Sequence, residues 1–154
     1  MRRVYLVLLA LLVALIPTAP SALSAQRGPR PAASSYILID LSQQRLIEHH
    51  GGVVTRVLHV STGGGYRYRA SDGVSRVAVT PVGRFRIYRK AAGWQRSYLG
   101  AMYYPSYFTG GYAIHGSPSV PASPVSHGCV RIPMGEAIGF YQRNPVGTPV
   151  VIVR

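Results

Sequence analysis

Cysteine occurs once in the 154 residues, at Cys129, within Ser126-His127-Gly128-Cys129-Val130-Arg131. A single thiol has three ordinary uses: a small buried apolar group, half of a disulfide between chains, or a nucleophile. A nucleophile needs a depressed pKa and a base within reach. The neighbours of Cys129 favour that use. Arg131 places a fixed positive charge two residues away. Pro133 can open a helix, whose positive end would then lie near the sulfur. Both features predict a lowered thiol pKa. Gly128 permits a tight bend that turns consecutive N–H groups toward one point. Such a cluster stabilises the oxyanion of acyl transfer.

Two histidines could serve as the base. His127 is near in sequence, and His115 closes the run Tyr112-Ala113-Ile114-His115 fourteen residues upstream. Residue types alone do not rank them. His115, His127 and Cys129 are also zinc-ligand types, but a short-spaced pair plus a distant third, with no carboxylate nearby, makes a weak metal site. No metal is expected. Ser126 lacks the G-x-S-x-G elbow of a serine nucleophile. Gly63-Gly64-Gly65 lacks the Gly-Lys-Ser/Thr ending of a phosphate loop. His49-His50-Gly51-Gly52 reads as a polar turn, and His59 as a surface or hydrogen-bonded histidine.

The elements that must position these groups are mostly strands. Tyr36 to Leu41 and Arg45 to His49 form a hairpin pattern. Val53 to Ser61 is rich in β-branched residues. Residues 63–76 show little apolar order and read as a loop. Arg84 to Tyr88 alternates, and Leu99 to Tyr104, Tyr112 to His115 and Thr148 to Val153 are further strand candidates. Pro133 to Tyr141 is the one helical pattern, with Pro133 at its first position and Ala137, Ile138 and Tyr141 on its apolar face. Asn144-Pro145 ends it. The fold class is mainly β: a small sandwich or partly closed barrel with one short helix after the cysteine.

The first residues pattern as a secretory signal, with Arg2 and Arg3, an apolar run from Val4 to Ile16, then Pro17 and small residues. Cleavage after Ser24 or Ala25 fits; an uncleaved anchor is the alternative. The expected organisation is a signal peptide over 1–25, a disordered stretch over 26–34 and one domain over 35–154. The chain carries 17 basic and 4 acidic residues, a net charge of +13. Such a balance favours an anionic partner. Export ranks nucleic acid last, behind an acidic wall polymer or membrane surface, and a basic surface that only confers solubility is the alternative. Nothing in the sequence sets an oligomeric state.

The motif pair Tyr112-Ala113-Ile114-His115-Gly116-Ser117-Pro118 and Ser126-His127-Gly128-Cys129-Val130-Arg131 resembles the signature of the L,D-transpeptidase (YkuD) catalytic domain. Thr80-Pro81-Val82-Gly83-Arg84-Phe85 is similar to that family's TP-x-G-x-F segment, and residues 102–111 to its substrate-lining segment. Tyr36-Ile37-Leu38-Ile39-Asp40 with Gln44-Arg45-Leu46 resembles its N-terminal hairpin. The resemblance covers about residues 35–154. It implies Cys129 as nucleophile, His115 as base, and the Gly116 carbonyl as the group that orients the His115 ring. It implies an oxyanion hole from the N–H groups of His127, Gly128 and Cys129. Ser126, His127, Arg131, Met102 and Tyr104 would contact substrate. The implied substrate is peptidoglycan, met in the periplasm or cell wall, with no cofactor. A hydrolase with the same pair, and a non-enzymatic wall-binding module, are the alternatives.

Overall fold

Alternation of apolar and polar residues sets the strands, because a side-chain period of two puts one set on each face. The computed structural model describes residues 35–154; the expected signal and tail, 1–25 and 26–34, lie outside the described residues. In β1 (Tyr36–Asp40), Ile37 and Ile39 are fully buried while their neighbours are half-exposed. The chain continues through β2 (Arg45–His50), β3 (Val53–His59), β4 (Arg67–Arg69), β5 (Ser75–Val77), β6 (Gly83–Arg86), β7 (Arg89–Lys90), β8 (Trp94–Ser97), β9 (Gly100–Thr109), β10 (Tyr112–Ser117) and β11 (Val130–Pro133). Helix α1 (Met134–Arg143) and β12 (Pro149–Val153) follow.

One sheet has the order β3-β2-β1-β12-β6. The second has β11-β10-β9-β7, with β8 also paired to β9. Hairpin β4–β5 stands apart as a two-stranded sheet. Ile37, Val150 and Ile152 of the first sheet share one apolar core with Ile114, Val130 and Ile132 of the second. Each such side chain contributes about 1.5–3 kcal/mol on burial. This is the expected sandwich with one short helix.

Several local expectations are corrected. Residues 63–76 do not form a plain loop: they hold β4 and the start of β5, paired Arg67 to Val77 and Arg69 to Ser75. Strand β2 runs through His49 and His50, so the turn falls on Gly51-Gly52 alone. Pro133 is the N-cap of α1 and still belongs to β11. The buried helix face is Ala137 and Phe140, while Ile138 is 41% exposed. The Asn144 N–H donates to Phe140 O at 3.1 Å, and Pro145 bars a further turn.

A buried ion pair fastens the end of α1 to the first sheet. Glu48 is fully buried and accepts from Arg143 at 2.8 Å and from Asn144 Nδ2 at 3.0 Å. Burial works to raise the Glu48 carboxyl, yet the hydrogen bonds from Arg143 and Asn144 outweigh it and hold it below the usual range.

Candidate active site

Strands β10 and β11 run parallel, with Ile114 opposite Val130 and His115 opposite Arg131. Ile114 and Val130 point into the core. The alternate residues therefore share the other face, and Cys129 falls beside Ala113, two positions short of His115. With strands about 4.8 Å apart and a rise of about 3.3 Å per residue, such diagonal neighbours have Cα atoms roughly 8 Å apart. The pairing thus brings imidazole and thiol to one sheet face, with His115 inside β10 and Cys129 just before β11.

His115 is 5% exposed, and its Nδ1 lies 3.0 Å from Gly116 O. A carbonyl only accepts, so Nδ1 carries the proton and Nε2 keeps its lone pair. Burial pushes the imidazole down to about 4, against the Gly116 bond, and the nearby Arg131 charge adds to the depression. The ring is therefore a neutral acceptor at ordinary pH. Gly116 is required beside it: a Cβ there would come within 2.6 Å of Ala137 Cβ.

Cys129 is half-buried and unpaired. Burial raises its thiol, outweighing a hydrogen bond from the Ala113 backbone and the Arg131 charge. The expected lowered pKa is overturned. The reason is the burial of the sulfur, which outweighs the Arg131 charge; α1, starting at Met134 beyond β11, sets no helix end beside the thiol. The thiol donates to Gly111 O at 3.8 Å, on the side of Ala113 away from His115. Thiol and imidazole both rest neutral.

The loop before Cys129 is held by buried hydroxyls. Ser126 is 1% exposed; its Oγ donates to Cys129 O at 2.6 Å and accepts from Gly128 N–H at 2.9 Å. Its own backbone N–H donates to Thr62 O at 2.9 Å. Two expectations change here. Ser126 braces the loop and does not face a substrate. The Gly128 N–H is engaged by Ser126 and is not free for an oxyanion. The N–H groups of His127 and Cys129 meet no acceptor among the described residues. Gly128 itself sits at φ +127, and a Cβ there would clash with Tyr112 Cε1 and lie 2.6 Å from Val79 O.

Thr80 is a site residue whose role sequence reasoning missed. Its Oγ1 donates to Gly128 O at 2.8 Å and accepts from Gly63 N–H at 2.9 Å. The TP-x-G-x-F segment flagged the position, but a partner 48 residues away leaves no local trace.

His127 is half-buried, and its ring meets the edges of Tyr68 at 4.7 Å and Tyr66 at 5.3 Å. Burial, then Arg131, lowers its pKa. Tyr68, Arg69, Tyr98, Leu99 and His127 line an open groove of about 430 Å³. The Tyr98 hydroxyl donates to Arg69 O at 3.3 Å across it. Among the described residues Arg131 has no carboxylate partner: Asp40 caps its own turn, and Glu48, Asp72 and Glu136 pair with Arg143, Arg76 and Arg56. Tyr104 packs edge-on against Tyr141 of α1 at 5.2 Å, which anchors β9 to the helix. Met102 lies opposite Gln95 in the β8–β9 hairpin. These contacts place neither residue at the thiol. Among the described residues no three His, Cys, Asp or Glu side chains gather as a metal site.

The L,D-transpeptidase catalytic domain model (YkuD) matches residues 34–152. The chain belongs to that family. A crystal structure of an L,D-transpeptidase from Xylanimonas cellulosilytica shares 39% identity, with a TM-score of 0.75 over 81% of this chain and 63% of that one. An L,D-transpeptidase from Stackebrandtia nassauensis matches at 22% identity and a TM-score of 0.64, over 86% of this chain and 62% of that one. One from Mycobacterium smegmatis matches at 21% and 0.63, over 79% and 59%. The last two show likeness of fold alone. The chain spans about three fifths of the length of these structures. No curated protein matches the sequence significantly.

Proposed function

We propose that the chain is an exported L,D-transpeptidase that acts on peptidoglycan stems through a thioester on Cys129. The single observation that carries this reading is the His115 ring, fixed by Gly116 O with Nε2 free, on the strand paired beside Cys129.

Rotation about the Cys129 Cα–Cβ bond turns the sulfur from Gly111 toward His115. The thiol proton passes to His115 Nε2 as the sulfur bonds to the carbonyl carbon of the third stem residue, the L-centre of a diamino acid. Because both groups rest neutral, proton transfer accompanies the attack and does not precede it. The N–H groups of His127 and Cys129 take the oxyanion. Its collapse breaks the C–N bond to the terminal D-Ala, whose amine takes the proton from His115. A neighbouring stem amine then attacks the thioester, gives its proton to His115 and expels the sulfur, which regains that proton. The product is a 3→3 cross-link.

Residues 1–25 as a signal peptide, with a wall or periplasmic location, complete the proposal. Substrate carboxylates suit the +13 chain and the unpaired Arg131. Among the described residues no helix is long and apolar enough to cross a membrane. The test is incubation of the full chain with tetrapeptide muropeptides, products read by mass. Dimers joined at their third residues support the transferase. Tripeptides alone replace it by the hydrolase, and unchanged substrate overturns both.

A further inference from the structure

We infer that Thr80 is a positioning residue that aims the Cys129 N–H at the oxyanion. The inference rests on the Cys129 acyl-transfer reading above. Within one trans peptide unit the C=O and N–H point in opposite directions, and the unit is rigid. Gly128 C=O and Cys129 N–H belong to the same unit. A hydrogen bond that fixes the carbonyl therefore fixes the direction of the N–H. Thr80 Oγ1 makes that bond at 2.8 Å.

The grip is itself anchored. Thr80 is 6% exposed, and its hydroxyl oxygen accepts Gly63 N–H at 2.9 Å, so its proton is committed to Gly128 O. Gly63 is pressed against this segment so closely that a Cβ would lie 2.6 Å from Thr80 N. Gly128 has no side chain and sits at φ +127, so its backbone does not hold this conformation unaided. Ser126 Oγ holds the preceding peptide unit through Gly128 N–H. The Tyr112 ring fills the space where a Gly128 Cβ would stand. Thr80 is thus the one side-chain donor among the described hydrogen bonds that sets the unit carrying the Cys129 N–H.

Two reactions of the same sulfur separate aiming from folding. Imipenem acylates through a carbonyl and develops an oxyanion. Iodoacetamide alkylates at a saturated carbon and develops none. Both are followed by intact mass on the full chain, for wild type, Thr80→Val and Thr80→Ser. Thr80→Val keeps the shape and loses the donor. It should lose roughly tenfold or more in acylation, part of the 10²–10³ that loss of an oxyanion donor costs. Its alkylation should stay within about twofold of wild type, since that step needs no oxyanion donor. Thr80→Ser restores the hydroxyl and should acylate within about threefold of wild type. The inference is overturned if Thr80→Val acylates like wild type, if it loses both reactions in proportion, or if Thr80→Ser is no better than Thr80→Val. A wild-type chain that forms no imipenem adduct at Cys129 overturns instead the reading beneath it.

Discussion

His115 donates from Nδ1 to the carbonyl oxygen of its own neighbour, Gly116, at 3.0 Å. A backbone carbonyl thereby does what a carboxylate does in many triads: it sets tautomer and ring direction. It does so without adding a negative charge, so nothing opposes the burial that lowers the imidazole to about 4 except a neutral dipole. The imidazole is consequently unprotonated across the neutral range.

The pH dependence follows. His115 has a depressed pKa, so its acceptor form is lost only as pH falls through about 4. The acid limb of kcat/KM for acylation should centre near that value and not near the ordinary imidazole value. A limb near 6.5, the unshifted value, would show that His115 is not the base or is not buried in the working enzyme. His115→Ala should cost about 10²-fold or more in the same assay.

The thiol should behave as a resting thiol. Its pKa is raised, so thiolate accumulates only above the ordinary thiol range. The rate of iodoacetamide alkylation should still climb with pH between about 7 and 9.5, tracking thiolate. A plateau below neutrality would mean a preformed thiolate–imidazolium pair.

Gly128→Ala should destabilise the protein by more than about 3 kcal/mol, because a Cβ meets Tyr112 and Val79 O and the backbone lies in the left-handed region. Urea denaturation measures it. A loss under 1 kcal/mol, roughly the cost of an ordinary surface change, would mean that the loop relaxes freely.

Glu48→Gln should cost roughly 3 kcal/mol at pH 7, the low end for breaking a buried pair, since Arg143 keeps a third of its side chain in solvent. The Glu48 pKa is depressed on folding. Its contribution is therefore fully present above the unfolded value of 4.5 and is lost as pH falls through the lower folded value. The gap between wild type and Glu48→Gln in urea midpoint should narrow in acid. A gap constant with pH would remove Glu48 ionisation from the account.

The core was legible where alternation was strict. Arg84-Phe85-Arg86 alternates and forms β6, while β1 and β12 stood out as apolar runs whose buried face, Ile37 and Ile39 or Val150 and Ile152, only the folded sheet fixes. Strand β8 was not legible, because Trp94-Gln95-Arg96-Ser97 packs little on either face and forms through pairing with β9. Strand β11 hid in the same way: four residues whose pattern is real but whose proline suggested a helix. The Arg131 charge and the nearby helix start predicted a lowered Cys129 pKa, but burial of the thiol, which the local residues do not show, sets the opposite sign. In the site, His115, Gly116 and Cys129 stood out by type and motif. Thr80 and the bracing by Ser126 did not, since buried hydroxyls act through backbone partners that only the folded chain brings close.

The central claim is that Cys129 carries the acyl group. Brief incubation of the full chain with a tetrapeptide stem, an acid quench and peptide mapping by mass test it directly. The account predicts the mass of a tripeptide acyl group on the fragment holding Cys129, removed by hydroxylamine and absent in Cys129→Ala. Cross-linked or trimmed product made at an undiminished rate by Cys129→Ala would contradict it.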